Sequence, residues 1–455
     1  MMHDLNGLAV TLSDQTALSA WNNVQRAFLA HSAATPEHLG VVLTREPGFA
    51  LGHAVKGMFY LLLARRELMG VVTDELALAK SAAAQGGANP REAEFVTALA
   101  EAVAGHWGWA AARLDVVIQN WPGDALAMKL VQSLRFMLGD AQGMLNSTRL
   151  ARTGFAPDHQ LHGYLLGCQA FALEETGDYA AAEIAGRAGL ELCPDDAWGL
   201  HAVAHVLDMT GRNEDGVRWL AGRSKHWAHC NNFGYHVWWH LALFHLDRGA
   251  YGPVLELYDR KIRPDQTDDF RDISNAASLL LRLEVEGVDV GDRWEELGAL
   301  SAARTDDGCL IFADLHYLLA LNATGRTAES QALAARIASD AATIEHDQHE
   351  VGALSGNAAA RGLLSFRAAD YGPAARDLRM ALEFMPRIGG SHAQRDVFWR
   401  LAVEAHLRCG DCSGAEALLA RRMLERGAED GYTARRRHQI EVRRSDLADA
   451  GIAAE

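Results

Sequence analysis

Between Trp198 and His245 the chain carries His201, His205, His226, His229, His236, His240 and His245. His201/His205 and His236/His240 are each four apart, a spacing that on an α-helix stacks both rings on one face, one turn from each other. Imidazole nitrogen is a ligand for Zn, Fe, Ni or Cu. It also serves as acid, base or anion donor near neutral pH. If the two helices lie side by side, the pairs converge, and an open inner position there could hold a water as a catalytic metal does. Glu174, Glu175 or Asp208 could then supply a carboxylate. No HExxH accompanies them, and a single histidine on a helix is ordinarily a packed or surface residue. The expectation is a catalytic or metal-ligating role for His201, His205, His236 and His240, with a divalent transition metal such as zinc as the candidate cofactor.

The elements that would position these rings are helical hairpins. Gly177-Asp178-Tyr179, Ala182, Gly189 and Pro194 read as the second half of a 34-residue tetratricopeptide unit. Gly177 to Gly211 is one such period, and Gly249 follows 38 residues on, which puts a longer loop near Cys230–Gly234. Gly105, Gly139, Gly325, Asp370-Tyr371 and Gly410 mark further turns. Between them apolar residues recur at helical spacing, with no convincing period-two strands. Ten prolines, mostly at hairpin ends, agree with an all-α chain. One hairpin cannot bury its apolar face alone, so neighbours stack into an α-solenoid. The expectation is one superhelical domain over residues 1–455, capped by helices at about 1–40 and 430–455. The charged tail from Arg435 to Asp449 reads as a solvated terminal helix.

With the turn glycine of a unit at position 15, concave side chains fall near positions 2, 5, 9, 12 and 13. These are Tyr164, Phe171, Glu174 and Glu175 in one unit, with His162 just before it. The next unit offers Trp198, His201, His205, Asp208 and Met209, and the following one His236, Trp239 and Asp247, with His240 beside them. Two other segments stand out. In Gly389-Gly390-Ser391-His392-Ala393-Gln394-Arg395-Asp396, Ser391 can cap a helix whose first turn is crowded with polar groups, a setting for an anionic or polar ligand or for an internal Arg–Asp pair. His53 with Lys56, and Asp314 with His316, are weaker cases on apolar helices. The ligand-contacting set expected is therefore Trp198, Trp239, Tyr164, Glu174, Asp208, His162, His53, Lys56, His316, Ser391, His392, Gln394, Arg395 and Asp396.

Composition narrows the class. At 455 residues with 49% hydrophobic and 22% charged content, the chain exceeds one ordinary core. A net charge of −16 argues against nucleic acid and against an anionic membrane surface. No apolar run reaches about 18 residues, the length of a membrane span. The start at Met1–Gly7 lacks a signal peptide's pattern, so the expected location is the cytoplasm. Six scattered cysteines suit reduced thiols, and Cys409/Cys412 reads first as a tight turn. No GxSxG, phosphate loop or GxGxxG appears.

His201-Ala202-Val203-Ala204-His205, Asn232 to Leu243, Gly287 to Trp294 and Gly389 to Asp396 together resemble the tetratricopeptide repeat protein 38 family, over about Phe49 to Leu419. The resemblance implies an all-helical superhelix of similar length and brings no biochemical activity with it. The functional expectation thus comes from the residues. It is a superhelix whose His-rich pocket binds a small polar ligand or a peptide end, with metal-assisted or acid–base hydrolysis as one outcome. A non-catalytic scaffold for a protein partner is the alternative.

Overall fold

A computed structural model describes residues 2–452. The extreme ends of the two expected caps, residue 1 and residues 453–455, lie outside the described residues. In order the helices are α1 Gln15–Leu29, α2 Thr35–Arg45, α3 Ala50–Leu61, α4 Met69–Ala84, α5 Pro90–Val103, α6 Trp107–Asn120, α7 Ala125–Leu138 and α8 Ala141–Arg152. There follow α9 His162–Glu175, α10 Tyr179–Leu192, α11 Ala197–Met209, α12 Asn213–Leu220, α13 Phe233–Asp247, α14 Tyr251–Leu257, α15 Phe270–Val285 and α16 Trp294–Ala302. The last third comprises α17 Ile311–Ala323, α18 Thr327–Thr343, α19 Asp347–Val351, α20 Asn357–Arg367, α21 Tyr371–Leu382, α22 His392–Arg408, α23 Cys412–Arg426 and α24 Gly431–Ile452. The fold is an all-α helical-hairpin superhelix. Among the described residues, strand structure is confined to a two-residue pair, Met2–His3 with Ala9–Val10, and one isolated bridge, Ser32 to Cys230.

The turns obey a short local code. Gly139, Gly177 and Gly410 hold φ of +66°, +86° and +87°, the left-handed conformation in which a side chain is strained. The next residue, Asp140, Asp178 or Asp411, caps the following helix by accepting an N–H three residues on. At the turn before Asp370 the left-handed residue is Ala369, φ +58°, so that hairpin closes without glycine. The long connection between α12 and α13 is anchored elsewhere. The His229 ring and the Asn231 N–H bond the carbonyls of Ala30 and His31.

Small residues set how close the helices come. A Cβ on Gly167 would lie 3.0 Å from the Cα of Gly199, and one on Gly186 2.6 Å from the Val203 side chain. α9, α10 and α11 therefore touch nearly backbone to backbone, which carries Glu174 of α9 to His205 of α11.

The superhelix closes on itself. The α5–α6 turn meets the start of α19, where the Asp347 N–H donates to the Gly105 carbonyl. Gly139 packs against Pro386, and Tyr179 donates to the Glu425 carbonyl. The inner surface is thereby covered by later helices, and this changes several expected roles. Asp208, expected to meet a ligand, is paired at 2.9 Å with Arg426 of α23. Asp247 accepts the N–H groups of Gly431 and Tyr432 at the start of α24. Asp396 is ion-paired with Arg400 at 2.7 Å and Arg422 at 2.5 Å, not presented to a cavity.

The tail meets expectation only in part. Arg437, Glu441 and Arg444 are exposed, as on a solvated helix. Arg435 is half-buried on Glu286 and Arg436 buried on Glu404, and Tyr432 and Ile440 of the same helix are buried. These two arginines help seal the coil because they face acidic side chains at the end of α15 and on α22.

Arg422 is the centre of the seal, 2% exposed and bonded to Asp396, Asp430 and Thr433. Removing one partner from a buried ion pair leaves its mate uncompensated. Arg422→Met should therefore lower unfolding free energy by about 3–5 kcal/mol in urea titration. Arg218→Met on the surface should leave the midpoint in place. Equal midpoints for both variants would show that the closure does not depend on this network.

Candidate functional site

The α11 and α13 pairs meet. His205 Nε2 lies 2.8 Å from His201 Nε2, which lies 3.0 Å from His236 Nε2, which lies 3.2 Å from His240 Nε2. One ligand atom from each ring falls within 4.8 Å of every other. His201, His205 and His240 are at most 1% exposed. The Trp239 ring stacks on His236 at 17° between planes, and Phe171 on His201 at 21°.

An outer hydrogen bond fixes one tautomer. His236 Nδ1 lies 3.2 Å from Asn275 Oδ1, an atom that also accepts from Gln394 Nε2, so His236 donates there. His205 Nδ1 faces Glu174 Oε2 at 3.5 Å with no hydrogen bond between them. The His236 ring then aims a bare Nε2 lone pair at the centre. A neutral ring nitrogen carries one proton or one lone pair, never both. Hence at most two of the three N···N contacts can be hydrogen bonds, whereas a cation at the centre engages all four lone pairs. A tetrahedral centre with M–N near 2.05 Å needs N···N of about 3.3 Å, a few tenths wider than the distances seen.

Burial sets the charge state. Desolvation, reinforced by the neighbouring rings, holds His201 and His240 well below the usual histidine range and His236 down to about 3. These imidazoles stay neutral at physiological pH and available as ligands. Behind His205 lies a second cluster. Glu174 is fully buried with His392 Nδ1 at 3.6 Å, and Glu175 bonds Arg395 and the His392 N–H. Burial lowers the His392 value, but Glu175 and Glu174 outweigh it and raise the ring above its usual range. For Glu174, burial raises the carboxyl and the His205 and His392 rings more than reverse this. A carboxylate behind a ligand histidine is the usual support of a metal-bound ring.

The cluster forms part of the wall of a cavity of about 690 Å³ reached by His201 and His236. The cavity is mostly apolar, bounded by α2 and α3 through Leu39, Leu43 and Phe59 and by α17 through Phe312. Polar groups enter from α7, α15 and α22.

Of the expected contacts, Trp198, Lys56, Ser391 and Gln394 line this cavity. Ser391 and Gln394 also form a reciprocal cap for α22. Glu174, His392 and Trp239 support the cluster from behind. Arg395 holds Glu175 and the Gly390 carbonyl. The rest are elsewhere. The Tyr164 hydroxyl donates to Asp195, and the His162 ring nitrogen Nδ1 has no partner. His53 and Lys56 share Glu75 at 2.6 Å each. His316 is buried on the Phe312 carbonyl, and Asp314 pairs with Arg336.

Residues that reading the sequence did not find are His31, Lys129, Arg271 and Asn275, which line the same cavity. Lys129 had one available signal, a lysine inside the apolar run Ala125–Leu134. His31, stacked between Trp198 and Phe233, had none.

No family model matches the chain. Among solved structures it is similar to "Structure of Naa15/Naa10 bound to HypK-THB", at 12% identity and a TM-score of 0.25, over 95% of this chain and 67% of that one. That likeness is too remote to transfer a role. No described helix is long and apolar enough to cross a membrane.

The depressed histidines make metal-free protein acid-sensitive. Unfolded, each takes up a proton near pH 6.5, and folded it refuses one, so stability is full above about 6.5 and is lost as pH falls toward the folded values. His392, raised, acts oppositely: its contribution is present below about 6.5 and lost above its folded value. Three lowered rings outweigh one raised ring. In chelator-treated protein the melting midpoint should fall from pH 7 to pH 5, and fall less with His201→Gln and His240→Gln together. A flat profile in the parent would contradict the neutral, buried assignment.

Proposed function

We propose that this chain is a small-molecule-binding protein in which four imidazoles hold one divalent transition metal at the wall of the large cavity, within a single helical domain over residues 1–455. The observation that carries this is the convergence of the Nε2 atoms of His201, His205, His236 and His240, the His236 lone pair directed inward by the Asn275 amide behind it. An all-nitrogen set suits zinc and, equally by chemistry, nickel, iron or copper. A small polar molecule or peptide end would reach the metal from the side of His201 and His236. Metal-assisted hydrolysis is the catalytic form of the proposal, because a bound cation lowers the pKa of a coordinated water. Glu174 would orient His205 rather than touch substrate, since the ring stands between it and the centre.

Membership of the tetratricopeptide repeat protein 38 family belongs to the same reading. Three of its four segments, His201–His205, Asn232–Leu243 and Gly389–Asp396, contribute side chains to the cluster or the cavity. A scaffold for a protein partner would need an open concave groove, and here the groove is occupied by the returning helices.

Metal analysis of untagged protein tests the proposal. About one transition metal per chain is expected. His201→Ala with His240→Ala should abolish it while helical circular dichroism is retained. Absence of metal, with melting unmoved by zinc or chelator, rejects the centre.

A further inference from the structure

Lys129 sits mid-helix in α7 between Met128 and Leu130, both fully buried, and is itself 3% exposed. Its ammonium lies 4.4 Å above the Trp198 ring centroid and borders the cavity. Among the described residues no carboxylate lies within 4.0 Å of it. A cation–π contact offsets only part of the cost of burying an ammonium. Asp196, fully buried nearby, gives weak compensation, because burial pushes its carboxyl up to about 7 even against the Lys129 charge. The other cations at the cavity are matched: Lys56 by Glu75 and Arg271 by Asp269. Lys129 is thus the one cation of the lining that lacks a close counter-charge. Asp272, the carboxylate of the lining, is held by the Asn232 amide and the Thr267 hydroxyl, and burial with Asp269 beside it pushes it up to about 6.

Another part of the lining has different chemistry. Leu39, Leu43 and Phe59 are contributed by α2 and α3, and the volume of about 690 Å³ matches that of cavities enclosing most of a drug-sized molecule. A free inorganic anion would leave this apolar surface uncovered, and a neutral hydrocarbon would leave Lys129 uncompensated.

We propose that the cavity takes an amphipathic organic carboxylate, its carboxylate on Lys129 above Trp198 beside the histidine cluster and its apolar body against Leu39, Leu43 and Phe59. This rests on the cavity being a binding site and not on a metal being bound.

The test is isothermal titration calorimetry of full-length, chelator-treated protein with dodecanoate, dodecanol and dodecylamine. Dodecanoate should bind at least about tenfold more tightly than dodecanol, a difference of about 1.4 kcal/mol. Lys129→Met, close in volume, should erase that margin, and Lys129→Arg should keep most of it. If Lys129→Met fails to fold, Leu39→Trp supplies the second arm. It should weaken dodecanoate but not hexanoate. Binding of alcohol or amine as tight as the carboxylate, a margin that survives Lys129→Met, or no dodecanoate binding at all overturns the proposal. Because the metal is removed beforehand, carboxylate binding with a metal-free native protein would sink the four-imidazole reading alone.

Discussion

Four imidazoles packed ring to ring out of water are the constraint on which the rest of the structure turns. A buried polar group without a partner costs about 1–3 kcal/mol, and this cluster brings eight ring nitrogens. The fold meets part of that demand from outside the cluster. Asn275 accepts from the His236 ring, Gln394 holds Asn275, Glu174 stands 3.5 Å from the His205 ring, and Arg395 holds Glu175. His201 Nδ1, His205 Nδ1 and His240 Nδ1 have no hydrogen-bond partner. Such an assembly is expensive as packing and sensible as a ligand set, because only a central cation uses all four inward lone pairs at once.

Closure of the superhelix makes this possible. In an open solenoid, positions on the first helix of each hairpin face solvent. Here α22, α23 and α24 return over them, so the polar residues of α9, α11 and α13 become interior. The Arg–Asp network holds that return in place, with Asp208 and Asp396 committed to it. The same closure makes the cavity, whose lining comes from both the first sixty residues and α22. No single hairpin contains the site.

How much was legible in the sequence follows from this. The hairpin architecture was, since Gly-Asp turns and helical periodicity are local signals. So was the convergence of the two HxxxH pairs, because they occupy equivalent positions in neighbouring units. Residues that meet through closure were not. Asp208 and Asp396 carry the right chemistry for a ligand site, yet their partners lie 218 and 26 residues away, and periodicity says nothing of such pairing. His31 reaches the site from the turn between α1 and α2, where no motif surrounds it, and Lys129 from the hairpin just before α9, marked only by its place in an apolar helix. Arg435 and Arg436 looked solvated because a charge run ordinarily is, and only the position of Glu286 and Glu404 shows otherwise.

Electrostatics joins the two halves of the functional reading. A divalent cation, were one held there, would meet neutral rings at His201, His236 and His240, and the nearest carboxylate, Glu174, would stand one ring removed. Lys129, over the Trp198 ring and without a close carboxylate, adds a further positive charge to the same cavity. Dielectric screening is weak in such a place, so these charges reinforce one another. A carboxylate entering the cavity would find in Lys129 a cation without a close counter-charge and would relieve the cost of burying it. The apolar part of the lining, Leu39, Leu43 and Phe59, gives the remainder of such a molecule its place, and with it a reason for the cavity to be large.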